Sequence, residues 1–338
     1  MPAEWEPHEG TWLSWPHNAD TWPGGGLDRV CDTFARIVTA LVDGEEVHIN
    51  VNDAAQEHSV RRRLGEQIER RTIFHHFPTN DVWCRDYGAL FVRNLDHDSR
   101  TPPLVAINWG FNSWGEKYPP YDLDDVVPMQ MARTLEVPCV SGGMILEGGS
   151  IDVNGTGLLL TTESCLLNPN RNPDLSRQQI EQRLAAMLGV EEVLWLAAGI
   201  VGDDTDGHID DVARFVSAHT VVTAVEDNPQ DANYAVLQEN LQRLQKVRCQ
   251  EGKSLRIVTL PMPCPVGGNH RMPASYLNFY MANKTVLVPQ FRQAADQEAL
   301  RIVTDLFPER HIIGIDCVEL IGGFGAIHCV TQQIPATE

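Results

Sequence analysis

The sequence lacks any long apolar run, and basic residues are scarce in it. No apolar stretch in its 338 residues reaches the length of a membrane span, and the first residues carry neither the basic nor the apolar segment of a signal peptide. Its 46 acidic residues against 26 basic ones give a net charge of −20 at pH 7. We therefore expect no nucleic acid or membrane partner, because phosphate binding needs a basic face. The charge favours a cationic small molecule, or it serves solubility alone.

Cysteines paired at the C-x-x-C spacing are also absent. The eight cysteines are scattered through the chain as Cys31, Cys84, Cys139, Cys165, Cys249, Cys264, Cys317 and Cys329. This spacing argues against a zinc ribbon. Without a secretion signal, it predicts reduced thiols and a cytoplasmic location. Hydrophobic residues make up 43% and charged residues 21% of the sequence, which is the composition of a folded globular chain rather than a disordered one.

The sequence alternates helical and strand-like apolar patterns. The helical faces are Val30, Phe34, Ile37 and Leu41; Ile180, Leu184 and Met187; Tyr234, Leu237, Leu241 and Leu244; and a stretch near 294–303. The strand-like runs that follow them are residues 47–51, 193–196, 255–258 and 312–313. Asn228 and Pro229 predict the cap and first residue of the third helix.

The spacing of these patterns leaves room for more than one strand between successive helices. Examples of such strand pairs are residues 144–153 with 157–161, and 212–216 with 220–225. A doubly wound sheet would alternate strands and helices one for one. The pattern therefore predicts an α/β fold of repeated ββαβ units closed around an axis.

Four clusters combine glycine with carboxylate or histidine side chains. They span residues 80–88, 146–152, 203–211 and 322–329. We expect each cluster at the end of a strand, where the loops of α/β folds gather their site residues. In the last cluster, Cys329 follows a glycine-rich bend and is either a nucleophile or a buried, inert thiol.

The cluster at 203–211 contains an imidazole among several carboxylates. His208 and Asp210 are two residues apart, so in a strand both would face the same side. An imidazole held by a carboxylate is a general acid/base. The alternatives are a loop for Ca²⁺ or Mg²⁺, although the EF-hand spacing is absent, and a solvated acidic loop.

Two further carboxylates, Asp86 and Glu147, come from separate clusters, and the neighbouring Arg85 fits a structural ion pair. Three carboxylates beside a cysteine and a histidine are more acidic groups than a Cys-His protease needs. They suit a substrate with a fixed positive charge. A guanidinium is planar, stays protonated and has five N–H donors. Two carboxylates can clamp such a group while a thiolate faces its carbon.

Several separated motifs, in order and nearly end to end, resemble the agmatine deiminase / bacterial peptidyl-arginine deiminase family within the guanidine-modifying (pentein) superfamily. The motifs are residues 1–5, 9–16, 81–86, 111–115, 147–150, 158–162, 165–173, 204–210 and 327–333. The resemblance implies a single catalytic domain over residues 1–338. It implies a five-bladed α/β propeller of ββαβ units with pseudo-fivefold symmetry, in which the four clusters line a central channel.

The same resemblance implies a role for each matching site residue. Cys329 resembles the nucleophile and His208 the general acid/base. Asp86 and Asp210 resemble the guanidinium clamp, and Glu147 the carboxylate that orients the histidine. In this scheme a covalent amidino-thioether forms and is hydrolysed, and no metal or organic cofactor is needed.

The sequence also departs from the family pattern. Phe324-Gly325-Ala326 stands where the family has Gly-Gly-Asn, Asp152 stands where a histidine is common, and Tyr87 and Ala89 replace residues that flank a glycine. Trp83 is expected to wall the substrate channel. The departures leave the catalytic set intact, so they bear on the pocket for the far end of the substrate.

The expected reaction is agmatine plus water to N-carbamoylputrescine plus ammonia, a step toward putrescine. Within the enzyme class, the alternatives are a deiminase of peptidyl-arginine or of another small guanidine. Outside it, the alternatives are a binding protein for cationic ligands and a divalent-metal hydrolase built on residues 203–211. The sequence leaves homo-oligomerisation open.

Overall fold

The computed structural model describes residues 1–68, 71–95, 102–248, 254–268 and 270–337. Within those ranges the chain forms sixteen strands and ten helices. The strands are β1 His8–Ser14, β2 Glu46–Val51, β3 Thr72–His76, β4 Leu90–Arg93, β5 Leu104–Gly110, β6 Cys139–Ile145, β7 Asp152–Val153, β8 Leu158–Thr162, β9 Glu192–Leu196, β10 Ala213–Ser217, β11 Thr220–Val225, β12 Arg256–Pro261, β13 Tyr280–Met281, β14 Thr285–Gln290, β15 His311–Asp316 and β16 Gln332–Pro335. The helices are α1 Gly26–Leu41, α2 Ala54–Leu64, α3 Cys84–Tyr87, α4 Ser113–Glu116, α5 Asp122–Asp125, α6 Val127–Thr134, α7 Glu163–Leu166, α8 Arg177–Leu188, α9 Tyr234–Lys246 and α10 Ala295–Leu306.

The strands of the described residues form five small sheets built on one plan. Their orders are β4-β5-β6, β7-β8-β9, β10-β11-β12, β13-β14-β15 and β16-β1-β2-β3. In every sheet the first pair of strands is antiparallel and the next pair is parallel. Parallel neighbours need a crossover connection, and in each sheet at least one helix lies between them. The predicted mixed α/β fold with ββαβ units is thereby confirmed.

The two ends of the chain meet in one sheet. Strand β16 pairs antiparallel with β1, and Thr11 lies opposite Gln333. Strand β1 then continues through α1 to the parallel strand β2. The fifth unit is therefore completed only when the last strand joins the first, and β3 extends this sheet by one strand.

The predicted helical face of α1 is buried. Val30, Phe34, Ile37 and Leu41 are at most 1% exposed, and each such side chain stabilises the fold by about 1.5–3 kcal/mol when it leaves water. The strands expected after the helices are confirmed as β2, β9, β12 and β15. The paired strands expected between helices are confirmed at β10 and β11.

The start of helix α9 differs from the prediction. Residues 228–233 form turns, and the helix begins at Tyr234 rather than at Pro229. The reason is tertiary: Asn233 is buried, and its Oδ1 accepts a 2.7 Å hydrogen bond from the N–H of Val201. Asn240, not Leu241, takes the buried position on this helix, because its amide bonds the backbone of Ala197 and Ala198, directly after β9.

The cysteines of the described residues are all free thiols, and Cys249 lies outside the described residues. Free thiols agree with the reduced state expected from the cysteine spacing, and the cytoplasmic location stays a prediction. Among the helices of the described ranges, none has the length and apolar character needed to cross a bilayer.

Candidate active site

The predicted site residues share one place in the architecture. Each lies a few residues before the first strand of a different sheet: Asp86 before β4, Glu147 before β7, Asp210 before β10 and Cys329 before β16. Asn278 holds the same place before β13, and sequence analysis did not single it out. The prediction that the clusters follow strand ends is confirmed, because each cluster comes after the last strand of one sheet and before the first strand of the next.

His208 and Asp210 converge without lying in a strand. His208 precedes a 3-10 turn over residues 209–211 that contains Asp210, so the alternation of a strand is not what brings them together. Both side chains face Gly149, where an added Cβ would lie 2.6 Å from His208 Nδ1 and 3.1 Å from Asp210 Oδ2. It would also lie 2.7 Å from Asp86 Oδ1. Residue 149 has to be glycine because the three side chains occupy that space.

Asp86 is held by two donors at the base of a cavity. Its Oδ2 accepts a 2.9 Å hydrogen bond from Trp114 Nε1–H, and its Oδ1 accepts one of 3.0 Å from the N–H of Gly149. His208 Nδ1 lies 3.7 Å from Oδ1. Burial raises the pKa of Asp86 to about 6; His208 opposes that rise, and Asp210 adds to it. The carboxylate is therefore mostly ionised at neutral pH.

The sulfur of Cys329 lies among polar groups. Its Sγ is 3.1 Å from Asn278 Nδ2 and 3.7 Å from Asp210 Oδ2. Asn278 Oδ1 also accepts the backbone N–H groups of His328 and Cys329 at 2.9 and 3.3 Å, so one amide fixes this turn. Burial raises the pKa of the Cys329 thiol well above its ordinary value, and the charges of Asp210, Asp211 and Asp86 add to the effect.

Glu147 and Cys165 lie beside His208. One polar atom of each of the three residues lies within 4.8 Å of the other two. Glu147 Oε1 accepts a 2.6 Å hydrogen bond from Arg171 Nε–H. Its Oε2 has no hydrogen-bond partner in the described residues. Burial opposes a charge on His208, but Asp86, then Cys165 and Asp210, raise its pKa well above the ordinary value. The ring is therefore ready to donate a proton at neutral pH.

In the acidic loop at 203–211, the side chains of Asp203 and Asp206 are engaged in hydrogen bonds. Asp203 accepts the backbone N–H groups of Thr205 and His208 at 2.8 and 3.0 Å. Asp206 bonds Arg171 at 2.6 Å and Lys117 at 2.9 Å. These carboxylates fix the loop and its neighbours. In the described part of the chain, the donor group that could hold a metal combines His208 of this loop with Glu147 and Cys165, which are residue types that zinc uses.

A cavity of about 870 Å³ opens above these residues. Trp83, Asp86 and Cys329 line it, as expected for Trp83. Glu147, His208 and Asp210 are at most 1% exposed and lie beneath its floor. The cavity is large enough for a small chain-like substrate to reach the sulfur.

Away from the sulfur, most of the charged side chains on the walls of this cavity are acidic. They are Asp20, Asp81, Asp124 and Asp204. The described lining contains one lysine, Lys117, and no arginine. Lys117 Nζ already bonds Asp206 Oδ1 and the carbonyl of Asp204. The cavity therefore favours a ligand that brings its own positive charge.

Beneath the site lies an ion network that sequence analysis did not predict. It joins six buried side chains: Glu4, Arg85, Asp152, Asp210, Arg214 and His328. The sequence contains one indication of this network: charged residues such as Glu4 recur inside motifs whose other residues are predicted to be buried. Arg85 forms the structural ion pair considered from the sequence, with Glu4 as its partner.

The departures from the family pattern fall in two places. Asp152 pairs with Arg214 in the ion network, and Phe324 lines the cavity with a left-handed backbone (φ 72°). Next to it, a Cβ on Gly325 would lie 2.4 Å from the ring of Trp83. Tyr87 is buried, and its OH donates a 2.9 Å hydrogen bond to the carbonyl of Asp81. Phe324 is thus the departure placed to contact a substrate.

Comparison with known proteins agrees with this geometry. Residues 1–335 match the family model described as Porphyromonas-type peptidyl-arginine deiminase. The agmatine deiminase of Medicago truncatula is 36% identical over 365 aligned positions, which cover 99% of this chain and 96% of the relative.

Solved structures match as well. A structure of the agmatine deiminase of Enterococcus faecalis superposes with a TM-score of 0.92 at 34% identity, covering 100% of this chain and 96% of that one. A C. jejuni agmatine deiminase with substrate bound superposes with a TM-score of 0.86 at 29% identity, covering 99% and 95%. The predicted class of enzyme, a hydrolase of C–N bonds in amidines, is confirmed. The chain belongs to the Porphyromonas-type peptidyl-arginine deiminase family.

Proposed function

We propose that this chain hydrolyses agmatine to N-carbamoylputrescine and ammonia. The observation that carries the proposal is the placement of the Cys329 sulfur at the floor of an acid-lined cavity, 3.7 Å from Asp210. Asp86 lines the same floor, and relatives covering the whole chain are named agmatine deiminases.

Asp86 and Asp210 clamp the guanidinium. A guanidinium offers parallel N–H donors in one plane, and paired carboxylates accept them with charge-assisted hydrogen bonds. Asp210 Oδ1 is buried and has no hydrogen-bond partner among the described residues, so it is available to the substrate. The clamp orients the central carbon toward the sulfur, and this orientation supplies much of the rate enhancement.

The substrate itself activates the thiol. In the free enzyme burial raises the pKa of the Cys329 thiol, and three carboxylates add to the rise. A guanidinium bound between Asp86 and Asp210 places a positive charge beside the sulfur, and a nearby cation favours the thiolate. The nucleophile therefore forms when its target is in place.

The reaction proceeds in two halves. The Cys329 thiolate attacks the guanidinium carbon and forms a C–S bond. The C–N bond to one terminal nitrogen then breaks, and that nitrogen leaves as ammonia with a proton from His208. In the second half His208 takes a proton from water, whose oxygen attacks the same carbon. The C–S bond breaks, and the ureido product leaves. Glu147 orients the imidazole throughout.

The walls of the cavity favour agmatine over arginine. Agmatine ends in an ammonium, which Asp81 and Asp204 on the cavity wall can receive. Burial raises the pKa of both carboxyl groups, and a bound ammonium favours their ionised forms. Free arginine carries an α-carboxylate as well, and Lys117 is already engaged with Asp206. Peptidyl-arginine and other small guanidines are the alternative substrates of the same machinery.

The five sheets are the blades of one closed propeller, and residues 1–338 form a single catalytic domain. The shared ββαβ plan and the pairing of β16 with β1 support this arrangement. The equivalent placement of the site residues before the first strand of each sheet supports it further. A closed ring brings those five positions to one axis.

The test is ammonia release from agmatine by purified Cys329→Ala. We expect turnover to fall by about 10⁴-fold or more with an unchanged circular dichroism spectrum. Cys317→Ala, a buried thiol outside the cavity, is the matched control and should keep activity. Retained turnover in Cys329→Ala would exclude the nucleophile. Tight agmatine binding without turnover by the unsubstituted enzyme would identify a binding protein.

Substrate choice is tested by comparing kcat/KM for agmatine, free arginine and a peptide containing arginine. Agmatine should give the highest value. A clear preference for the peptide would move the assignment to protein-arginine deimination, with the same catalytic residues.

A further inference from the structure

His328, the neighbour of Cys329, lies between two carboxylates. Its Nδ1 is 2.7 Å from Asp210 Oδ2 and its Nε2 is 2.8 Å from Glu4 Oε2. The side chain is 3% exposed. An ionised carboxylate only accepts hydrogen bonds. Both ring nitrogens therefore have to donate, and an imidazole that donates from both nitrogens is a cation.

Glu4 is held in its ionised form. Its Oε1 accepts the N–H of Met281 at 2.9 Å and lies 2.9 Å from Arg214 Nη2. Its Oε2 accepts a 3.2 Å hydrogen bond from Arg85 Nη2–H as well as the bond from His328. Burial opposes the charge, but Arg214, His328 and Arg85 hold the pKa of Glu4 well below its ordinary value.

The charges of the ion network balance only if His328 is a cation. The network contains three acids, Glu4, Asp152 and Asp210, and two guanidinium groups, those of Arg85 and Arg214. All are nearly inaccessible to water, and an uncompensated buried charge is strongly destabilising. A doubly protonated His328 supplies the third positive charge and makes the network neutral.

We propose that Glu4 and His328 are positioning residues for Asp210: Glu4 keeps His328 doubly protonated, and His328 holds Asp210 ionised and aimed at the substrate. The proposal rests on the proposed function only in its use of Asp210 as a guanidinium clamp. It gives the first residues of the chain a part in the reaction, although Glu4 does not line the cavity.

Asp210 faces other charged or titratable groups that a test has to separate from His328. They are His208, Arg214, Cys329, Asp86 and Asp211. Burial opposes its charge, and the hydrogen bond and charge of His328 come next and lower its pKa. Loss of the imidazolium therefore raises the pKa of Asp210, and activity that needs the carboxylate is lost at a higher pH.

The first experiment is nuclear magnetic resonance on the full chain labelled with ¹⁵N in its histidines. The His328 signals are assigned by their loss in His328→Gln. At pH 7.5 both ring nitrogens should be protonated in the unsubstituted enzyme, and one should lose its proton in Glu4→Gln. A single unprotonated nitrogen on His328 in the unsubstituted enzyme would overturn the proposal. This result does not depend on turnover, so it stands even where agmatine is not the substrate.

The second experiment compares the pH dependence of kcat/KM in Glu4→Gln and in a matched control. Glu45→Gln also removes a buried carboxylate beside a histidine, because Glu45 Oε1 lies 3.3 Å from His8 Nδ1. Asp86 protonates near pH 6, and Asp210, whose pKa is lowered, adds a further fall in activity at a lower pH. In Glu4→Gln this further fall should begin about one pH unit higher, which is a tenfold loss of activity at a given pH on that part of the acid limb. The limb of Glu45→Gln should stay in place.

Equal shifts in the two variants, or no shift in Glu4→Gln, would show a merely structural role and overturn the proposal. If Glu4→Gln fails to fold, the protonation of His328 in the unsubstituted enzyme decides alone. If no guanidine releases ammonia from the unsubstituted enzyme, the proposed function fails while the protonation of His328 is still measured.

Discussion

The buried ion network and the cavity wall treat charge in opposite ways. Beneath the floor, Glu4, Asp210 and their partners carry alternating signs in contact, at distances near 3 Å. Along the wall, Asp81, Asp124 and Asp204 have no arginine beside them in the described lining. Burial raises the pKa of each of these carboxyl groups, that of Asp124 well above its ordinary value. Buried charges are tolerated where they are paired. The wall, in whose described lining acidic groups outnumber basic ones, is therefore the part that can bind a cation. The network, whose charges are paired, is the part that holds the floor rigid.

Asp86 stands at the boundary between the two regions, and among their charged groups its removal should have the largest effect. Asp86→Asn keeps the size of the side chain and its bond from Trp114 but removes the charge that clamps the guanidinium. We expect kcat/KM for agmatine to fall by about 10³-fold, the size of a charge-stabilising contact in a dry site. Steady-state kinetics measure it. A fall below tenfold would mean that Asp86 does not touch the substrate.

Substitution of Arg171 tests the rule that buried charges have to be paired. Arg171→Gln leaves Glu147 buried beside His208 without its 2.6 Å partner, and the free energy of unfolding should drop by about 3 kcal/mol. The control Arg292→Gln breaks the exposed pair with Asp316 and should cost within about 0.5 kcal/mol. Urea denaturation compares the two. Equal losses would remove the distinction between buried and exposed pairs.

The pH dependence of kcat/KM in the unsubstituted enzyme reports the protonation of Asp86 at the floor of the cavity. The pKa of Asp86 is raised to about 6 by burial, so the clamp is ionised above that value and protonated below it. Because formation of the Cys329 thiolate releases a proton, we expect kcat/KM to rise with pH through neutrality. Below about pH 6, protonation of Asp86 should steepen the fall by about a further tenfold per pH unit. An acid limb near the ordinary aspartate range would contradict the burial of this group in the free enzyme.

The cavity wall should give the smallest effect, and one confined to binding. Asp204→Asn should raise KM for agmatine by about tenfold with kcat nearly unchanged, because the wall holds the distal ammonium by a partly screened charge. Butylguanidine, which lacks the ammonium, is the control substrate and should be turned over equally by both enzymes. Equal losses on the two substrates would show that Asp204 acts through the structure and not on the ammonium.

The sequence predicted the fold well where the pattern is local. Helix α1 and strand β11 follow from apolar periodicity alone, because burial of one face is repeated along a short stretch. The start of α9 was predicted wrongly, since the buried amide of Asn233 bonds a distant loop. Tertiary hydrogen bonds of that kind produce no periodic pattern in the sequence.

The candidate site shows the same division. Cys329 and His208 were predicted from motifs, because their chemistry requires particular residue types near glycine-rich turns. The partners Glu4 and Asn278 were missed, because Glu4 meets His328, and Asn278 meets Cys329, only through the arrangement of separate sheets. The strand assumed for His208 and Asp210 was also wrong, and a turn brings them together.

The most direct test of the account is to trap the covalent intermediate. The enzyme is mixed with excess agmatine, quenched in acid within the first turnover, digested and analysed by mass spectrometry. The account predicts that the peptide containing Cys329 gains the mass of agmatine minus ammonia and that this adduct is absent in Cys329→Ala. Turnover without any adduct on Cys329, or an adduct on another thiol such as Cys165, would contradict it.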